Sequence, residues 1–192
     1  MGSIVLFMHV SLDGYAAGPN KEMDWIHVDE EIFDYVGARI AKTNTALYGR
    51  VTFQMMESYW PTAADQPGAS NHDKEHGAWY KSAHKIVLST TLSPGAHPNT
   101  TVISQDYVDA LRQLKKNSSG EILLFGSPTA AHSLLAADLI DEYWLFINPV
   151  VLGGGIPVLK ENRERQLLKL LGTKVFASGV VCMQHKVLHK ST

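Results

Sequence analysis

Ala46-Leu47-Tyr48-Gly49-Arg50-Val51-Thr52, Lys85-Ile86-Val87-Leu88-Ser89-Thr90 and Ile122-Leu123-Leu124-Phe125-Gly126-Ser127-Pro128-Thr129 decide how this chain is read. Each is a short apolar run that stops at Gly or Ser, the pattern of a buried strand entering a tight turn. In the first and third, hydroxyls and unpaired backbone N–H groups follow at once. A strand that hands over to a helix N-terminus presents those N–H groups and the positive end of the helix dipole to an anion. Two such ends, with the Ser89-Thr90 edge between them, suit a cofactor with two phosphate positions.

Outward from these turns the chain alternates strands with helices. Ile4 to Val10 reads as a buried strand, and Asp13 to Asp24 as a loop rich in Gly, Pro and Asn. Asp29 to Thr43 reads as a helix, with Ile32, Val36 and Ile40 at i, i+4 and i+8. Strands follow at 45–48, 86–89, 101–104, 121–125 and 142–147, with helices expected over 52–59, 106–116 and 129–137. Pro61 to His76 is polar and reads as a loop, as does Gly153 to Pro157. Val175 to Ala177 and Val180 to Leu188 read as a terminal antiparallel pair turning at Ser178-Gly179. This order predicts an α/β fold: one domain over 1–190, a mainly parallel mixed sheet flanked by helices, and a C-terminal antiparallel hairpin.

The 192 residues are enough for one ordinary core, and 45% hydrophobic with 19% charged residues is a globular balance. A net charge of −2 and the lack of a basic stripe speak against nucleic acid. No apolar run has transmembrane length. One cysteine, Cys182, rules out an intrachain disulfide and suits a reducing cytoplasm.

His72-Asp73-Lys74-Glu75-His76 fits H-x-x-E-H, a zinc-protease pattern. In a polar stretch without apolar support it is read as surface sequence, and no metal is expected. Gly153-Gly154-Gly155 lacks the third spaced glycine and the following helix of a dinucleotide fingerprint. For proton transfer the candidate acids are Asp13, at the end of the first strand, and Asp29 and Glu30, at a helix start. Both positions also have ordinary structural explanations, a turn before Gly14 and a helix dipole.

Five stretches in order resemble the dihydrofolate-reductase-like fold, in particular the reductase domain at the C-terminus of RibD and its stand-alone relatives. They are Ser11-Leu12-Asp13-Gly14 with Ala17-Gly18-Pro19-Asn20, Gly49-Arg50-Val51-Thr52, Val87-Leu88-Ser89, Leu134 to Glu142, and Pro149 to Gly155. The resemblance covers nearly the whole chain. It implies a homodimeric, NADPH-dependent reductase similar to 5-amino-6-(5-phosphoribosylamino)uracil reductase of riboflavin biosynthesis. Its substrate would be a small heterocyclic or sugar-linked molecule. Gly49, Arg50, Val51, Thr52, Leu88, Ser89, Thr90, Gly126, Ser127 and Thr129 would contact the cofactor, and Arg50 one of its phosphates. The alternatives are dihydrofolate reduction, against which the missing Leu-Pro before the acid counts, and an inactive nucleotide-binding dimer. Gly126-Ser127 stands where the family usually has Gly-Gly. Arg163 and Arg165 follow the glycine loop as basic candidates for a substrate phosphate, but they read equally as solvated helix charges, and that phosphate site has no support in the sequence.

Overall fold

The computed structural model describes residues 1–160 and 165–189. Arg163 lies outside them. The central sheet has the strand order β5-β4-β3-β6-β1-β7-β10-β9. The first six strands are parallel: β1 (Ser3–Ser11), β3 (Thr45–Gly49), β4 (His84–Leu88), β5 (Thr100–Ile103), β6 (Glu121–Phe125) and β7 (Glu142–Asn148). The C-terminal hairpin, β9 (Leu167–Val175) and β10 (Val181–Leu188), adds two antiparallel strands beside β7. A second small sheet pairs β2 (Tyr15–Ala17) with β8 (Ile156–Pro157), two segments read from the sequence as loop.

Alternation along β1 divides the core. Ile4, Leu6, Met8 and Val10 pack with Leu111 of α4 (Tyr107–Asn117) and with Ala131 and Leu134 of α5 (Pro128–Ala136). Val5 faces the other way, toward Ile32 and Val36 of α1 (Glu30–Ile40), Phe53 of α2 (Arg50–Glu57) and Tyr80 of α3 (Asn71–Ser82). The period of two in the strand thus meets the apolar stripes of helices on both faces. Asp29 caps α1, accepting the Ile32 N–H at 2.9 Å.

Helix α3 corrects the reading of Pro61 to His76 as a loop. A 3₁₀ helix runs from Trp60 to Asp65, and α3 begins at Asn71. Ser70 and Asp73 form a reciprocal capping box: the Ser70 hydroxyl accepts the Asp73 N–H at 3.1 Å, and Asp73 accepts the Ser70 N–H at 2.9 Å. The inner face of α3 is made of His72, His76, Gly77, Trp79 and Tyr80, so no aliphatic period is visible. Gly77 lets the helix approach the 3₁₀ turn, since a Cβ there would lie 3.2 Å from the Trp60 carbonyl oxygen. Strand β9 is also longer than the sequence pattern suggests. Its leucines sit on both faces of an edge strand and show no alternation.

The crossovers leaving neighbouring strands β1 and β6 run to opposite sides: α1 leads to β3, and α5 leads to β7. Ligands of open α/β sheets bind outside the strand C-termini at such a switch.

Candidate active site

The three turns singled out by the sequence come together because β3 lies between β4 and β6. Gly49 is the N-cap of α2, so Arg50, Val51 and Thr52 form its first turn. Thr52 does not cap the helix, since that position is Gly49's. Its N–H belongs instead to the first turn, whose donors have no intrahelical acceptor. Arg50 and Val51 are exposed, and among the described residues the Arg50 guanidinium hydrogen-bonds only Gln54 of its own helix, at 2.9 Å.

Gly126 and Ser127 are both left-handed, with φ of +49° and +53°. They reverse the chain so that α5 starts at Pro128, with Thr129 exposed in its first turn. The Ser127 side chain is buried. Its hydroxyl accepts the Gly49 N–H at 2.9 Å and donates to the Phe125 carbonyl at 3.0 Å. This hydroxyl, expected from the sequence to face the cofactor, ties the two turns to each other. The approach does not depend on glycine at Gly49, since a Cβ there would make only ordinary contact, 3.5 Å from the Cβ atoms of Ser127 and Ala130. On the far side Ser89 closes its own turn, accepting the Thr91 and Leu92 N–H groups at 3.1 and 3.0 Å; Leu88 is half-buried and Thr90 exposed.

These features fit a dinucleotide with phosphates on both sides of the β3/β6 boundary. Two helix N-termini open at adjacent strand ends, an exposed guanidinium stands at one, and no carboxylate lies in the first turn of either helix.

Asp13 and Glu30 rest on different supports. Asp13 accepts the Ser11 hydroxyl at 2.7 Å, the Leu152 N–H at 3.1 Å and the Gly153 N–H at 2.7 Å. The Ser11 hydroxyl, helped by the two amides, holds its carboxyl below the usual carboxylate range. Asp13 thus clamps the end of β1 to the glycine loop, and an acid kept ionised is a poor proton donor. Close packing explains one glycine of that loop, Gly155, which has φ +137° and whose Cβ would run into the Ala17 carbonyl; a Cβ at Gly153 or Gly154 would meet nothing. Glu30 is exposed at the first position of α1 and has no side-chain hydrogen bond among the described residues.

The sequence reading overlooked residues at the centre of the sheet. Phe7 and His9 of β1 are only partly buried on the α1–α3 face. Ring contacts run from His9 through Phe7, Phe125, His76 and Trp60 to His72, which stacks on Phe33 at 3.9 Å. The H-x-x-E-H motif is therefore helical, but its histidines pack as aromatic rings and its glutamate is exposed. Burial pulls the His76 imidazole down to about 3. Asn148, fully buried, accepts the His27 N–H at 2.8 Å and donates to the Phe146 carbonyl at 3.1 Å, fixing the 23–28 segment to the sheet.

Two hollows accompany this site. One of about 310 Å³, on the other face of β1, is lined by Val10, Asp13, Tyr15, Leu145 and Val158. A more open one of about 580 Å³ lies at the opposite edge, where β3 and β6 begin. The second is remote from both helix N-termini and from the switch point, so the chemistry belongs at the strand C-termini.

The chain is 32% identical over 180 residues to the uncharacterized protein YyaP of Bacillus subtilis, covering 93% of this chain and 91% of that one. Its fold is similar to a putative riboflavin biosynthesis protein from Shewanella sp. PV-4, with a TM-score of 0.72, 23% identity, and 97% and 99% of the two chains covered. It is also similar to dihydrofolate reductase from Enterococcus faecalis complexed with NADP(H), with a TM-score of 0.63, 14% identity and 96% of each chain covered. These structural likenesses show the expected α/β fold. Residues 3–182 match the RibD C-terminal domain, and the chain belongs to that family.

Proposed function

We propose that the protein is an NADPH-dependent reductase of a small heterocyclic or sugar-linked substrate, related in chemistry to the aminouracil reductases of riboflavin biosynthesis. The observation that carries this reading is the pair of helix N-termini at the ends of β3 and β6, joined through Ser127 and flanked by the exposed Arg50. The nicotinamide would supply the hydride. The first-turn N–H groups of α2 and α5 and the Thr129 hydroxyl bind phosphate oxygens. Arg50 offers a planar fork to a further phosphate, the one that distinguishes NADPH from NADH. Leu88, Ser89 and Thr90 flank the adenosine side. Asp13 holds the glycine loop against the end of β1. Glu30, at the rim, and ordered water are the remaining sources of a proton. The lone, buried thiol of Cys182 suits a cytoplasmic setting.

A homodimer is the second part of the reading. Edge strand β9 exposes Leu167, Leu168, Leu170, Leu171 and Val175 at 44–70%. A long apolar edge of this kind is a template for pairing with another chain, and a second copy supplies the same edge.

Fluorescence titration with NADPH and NADH, on the protein and on Arg50→Ala, tests the cofactor assignment. NADPH affinity should fall roughly 10- to 100-fold in the variant, the range for a charged hydrogen bond, with NADH little changed. Absence of nucleotide binding by the unaltered protein would overturn the reductase reading.

A further inference from the structure

His9 sits on the central strand, where the partly exposed aromatic face meets the strand C-termini. The hydrogen-bond network around it favours one of its two tautomers. The His27 N–H can only donate, so the atom of Asn148 that it meets at 2.8 Å is the amide oxygen. The other end of Asn148 is then NH₂; one proton goes to the Phe146 carbonyl at 3.1 Å, and the second is shared between the Val10 carbonyl at 3.4 Å and the His9 ring. The same NH₂ faces His9 Nδ1 at 3.4 Å. A donor there requires a bare Nδ1, which leaves the proton on Nε2.

The ring cannot easily turn away. It stacks on Phe146 with centroids 5.0 Å apart and planes at 25°, and Phe7 stands edge-on to it at 6.1 Å. Burial keeps the imidazole neutral, pulling it down to about 4. Nε2 has no partner among the described residues, yet it is not sealed off; His76 Nδ1, by contrast, is both buried and unpartnered. An aimed neutral donor without an acceptor, among aromatic rings, is the complement of a flat molecule that carries an acceptor on its edge.

We infer that His9 Nε2–H is a substrate-binding donor that grips a carbonyl oxygen or ring nitrogen of a planar heterocycle laid against the Phe7–His9 end of β1. Asn148 is the positioning residue behind it. As a neutral imidazole held in one tautomer, His9 polarises the acceptor atom without giving up its proton. The inference rests on the reductase reading for the identity of the site, but not for the tautomer.

The test has two parts. Long-range ¹H–¹⁵N spectra of histidine-labelled protein, with His9→Gln for assignment, should find His9 neutral at pH 6 with its proton on Nε2. A protonated ring, or a proton on Nδ1, overturns the inference whatever the enzyme does. The NADPH-loaded protein is then titrated with lumazine, a planar heterocycle with ring carbonyls. Binding should shift the His9 Nε2–H resonance. His9→Phe, which keeps the stacking and loses the donor, should bind lumazine about tenfold more weakly, and His9→Gln should recover part of the loss. Equal lumazine affinity in His9→Phe, or no saturable binding by the unaltered protein, overturns the inference. NADPH titrations of the same samples tell whether the cofactor reading fails with it, because no part of His9 enters that prediction.

Discussion

Ser127→Ala is the sharpest probe of how the two cofactor turns are held. The substitution removes a hydroxyl that is buried and doubly engaged, leaving the Gly49 N–H and the Phe125 carbonyl without their partner. Abandoning a buried donor costs about 1–3 kcal/mol. Alanine keeps the left-handed strain of a side chain at φ +53°, itself about 1–2 kcal/mol. Glycine loses the same hydroxyl but is released from that strain. The expected stability order is therefore Ser127, then Gly, then Ala. This is also the order of these residues at helix N-caps, the position Ser127 holds before α5. For a chain of this size Ser127→Ala should lower Tm by roughly 2–12 °C, at about 2–4 °C per kcal/mol. Urea and thermal unfolding measure the order, and amide exchange at Gly49 reports the hydrogen bond directly. Both variants should also bind NADPH less tightly, because the first turn of α2 is no longer pinned to β6. The reasoning is refuted if Ser127→Ala is as stable as the unaltered protein, or if glycine is the worse of the two.

Stability should also fall with acid in a defined window. His9 and His76 are lowered by burial to about 4 and about 3, so the unfolded chain binds protons first. The loss begins as pH drops below about 6.5 and continues toward the folded values. It should reach about 2 kcal/mol for each group by pH 5, as read by denaturant unfolding at several pH values. A flat profile from pH 7 to 5 would contradict their burial. For the dimer, Leu170→Lys places a charge on the exposed β9 edge and should convert the protein to monomer by sedimentation, with its unfolding still cooperative. Unchanged sedimentation would place any interface elsewhere.

Much of this molecule is legible in residue order. The strands 4–10, 45–48 and 121–125 and helix α1 are visible because alternation and the i, i+4 stripe are consequences of burying one side of a regular backbone. The turns at Gly49 and Gly126 are visible for a similar reason, since a strand that must stop and reverse leaves Gly, Ser and Pro behind. Their convergence is not visible. That Gly49, Ser89 and Ser127 lie at neighbouring strand ends follows from the order β4-β3-β6, which depends on crossovers spanning dozens of residues. The fate of polar groups is equally hidden. Ser127 reads as a phosphate donor and Asp13 as an acid until their partners, 78 and about 140 residues away, are seen to occupy them. Helix α3 escapes because histidine and tryptophan form its buried face, and hydropathy scores imidazole as polar although burial makes it act as a small aromatic ring. His9 escapes for the same reason. Local order alone determines which segments are strand, helix and turn, since short-range sterics and the hydrophobic period are written residue by residue. Tertiary structure alone decides which donors remain free for a ligand, because a hydrogen bond is satisfied by whatever group the fold brings to it.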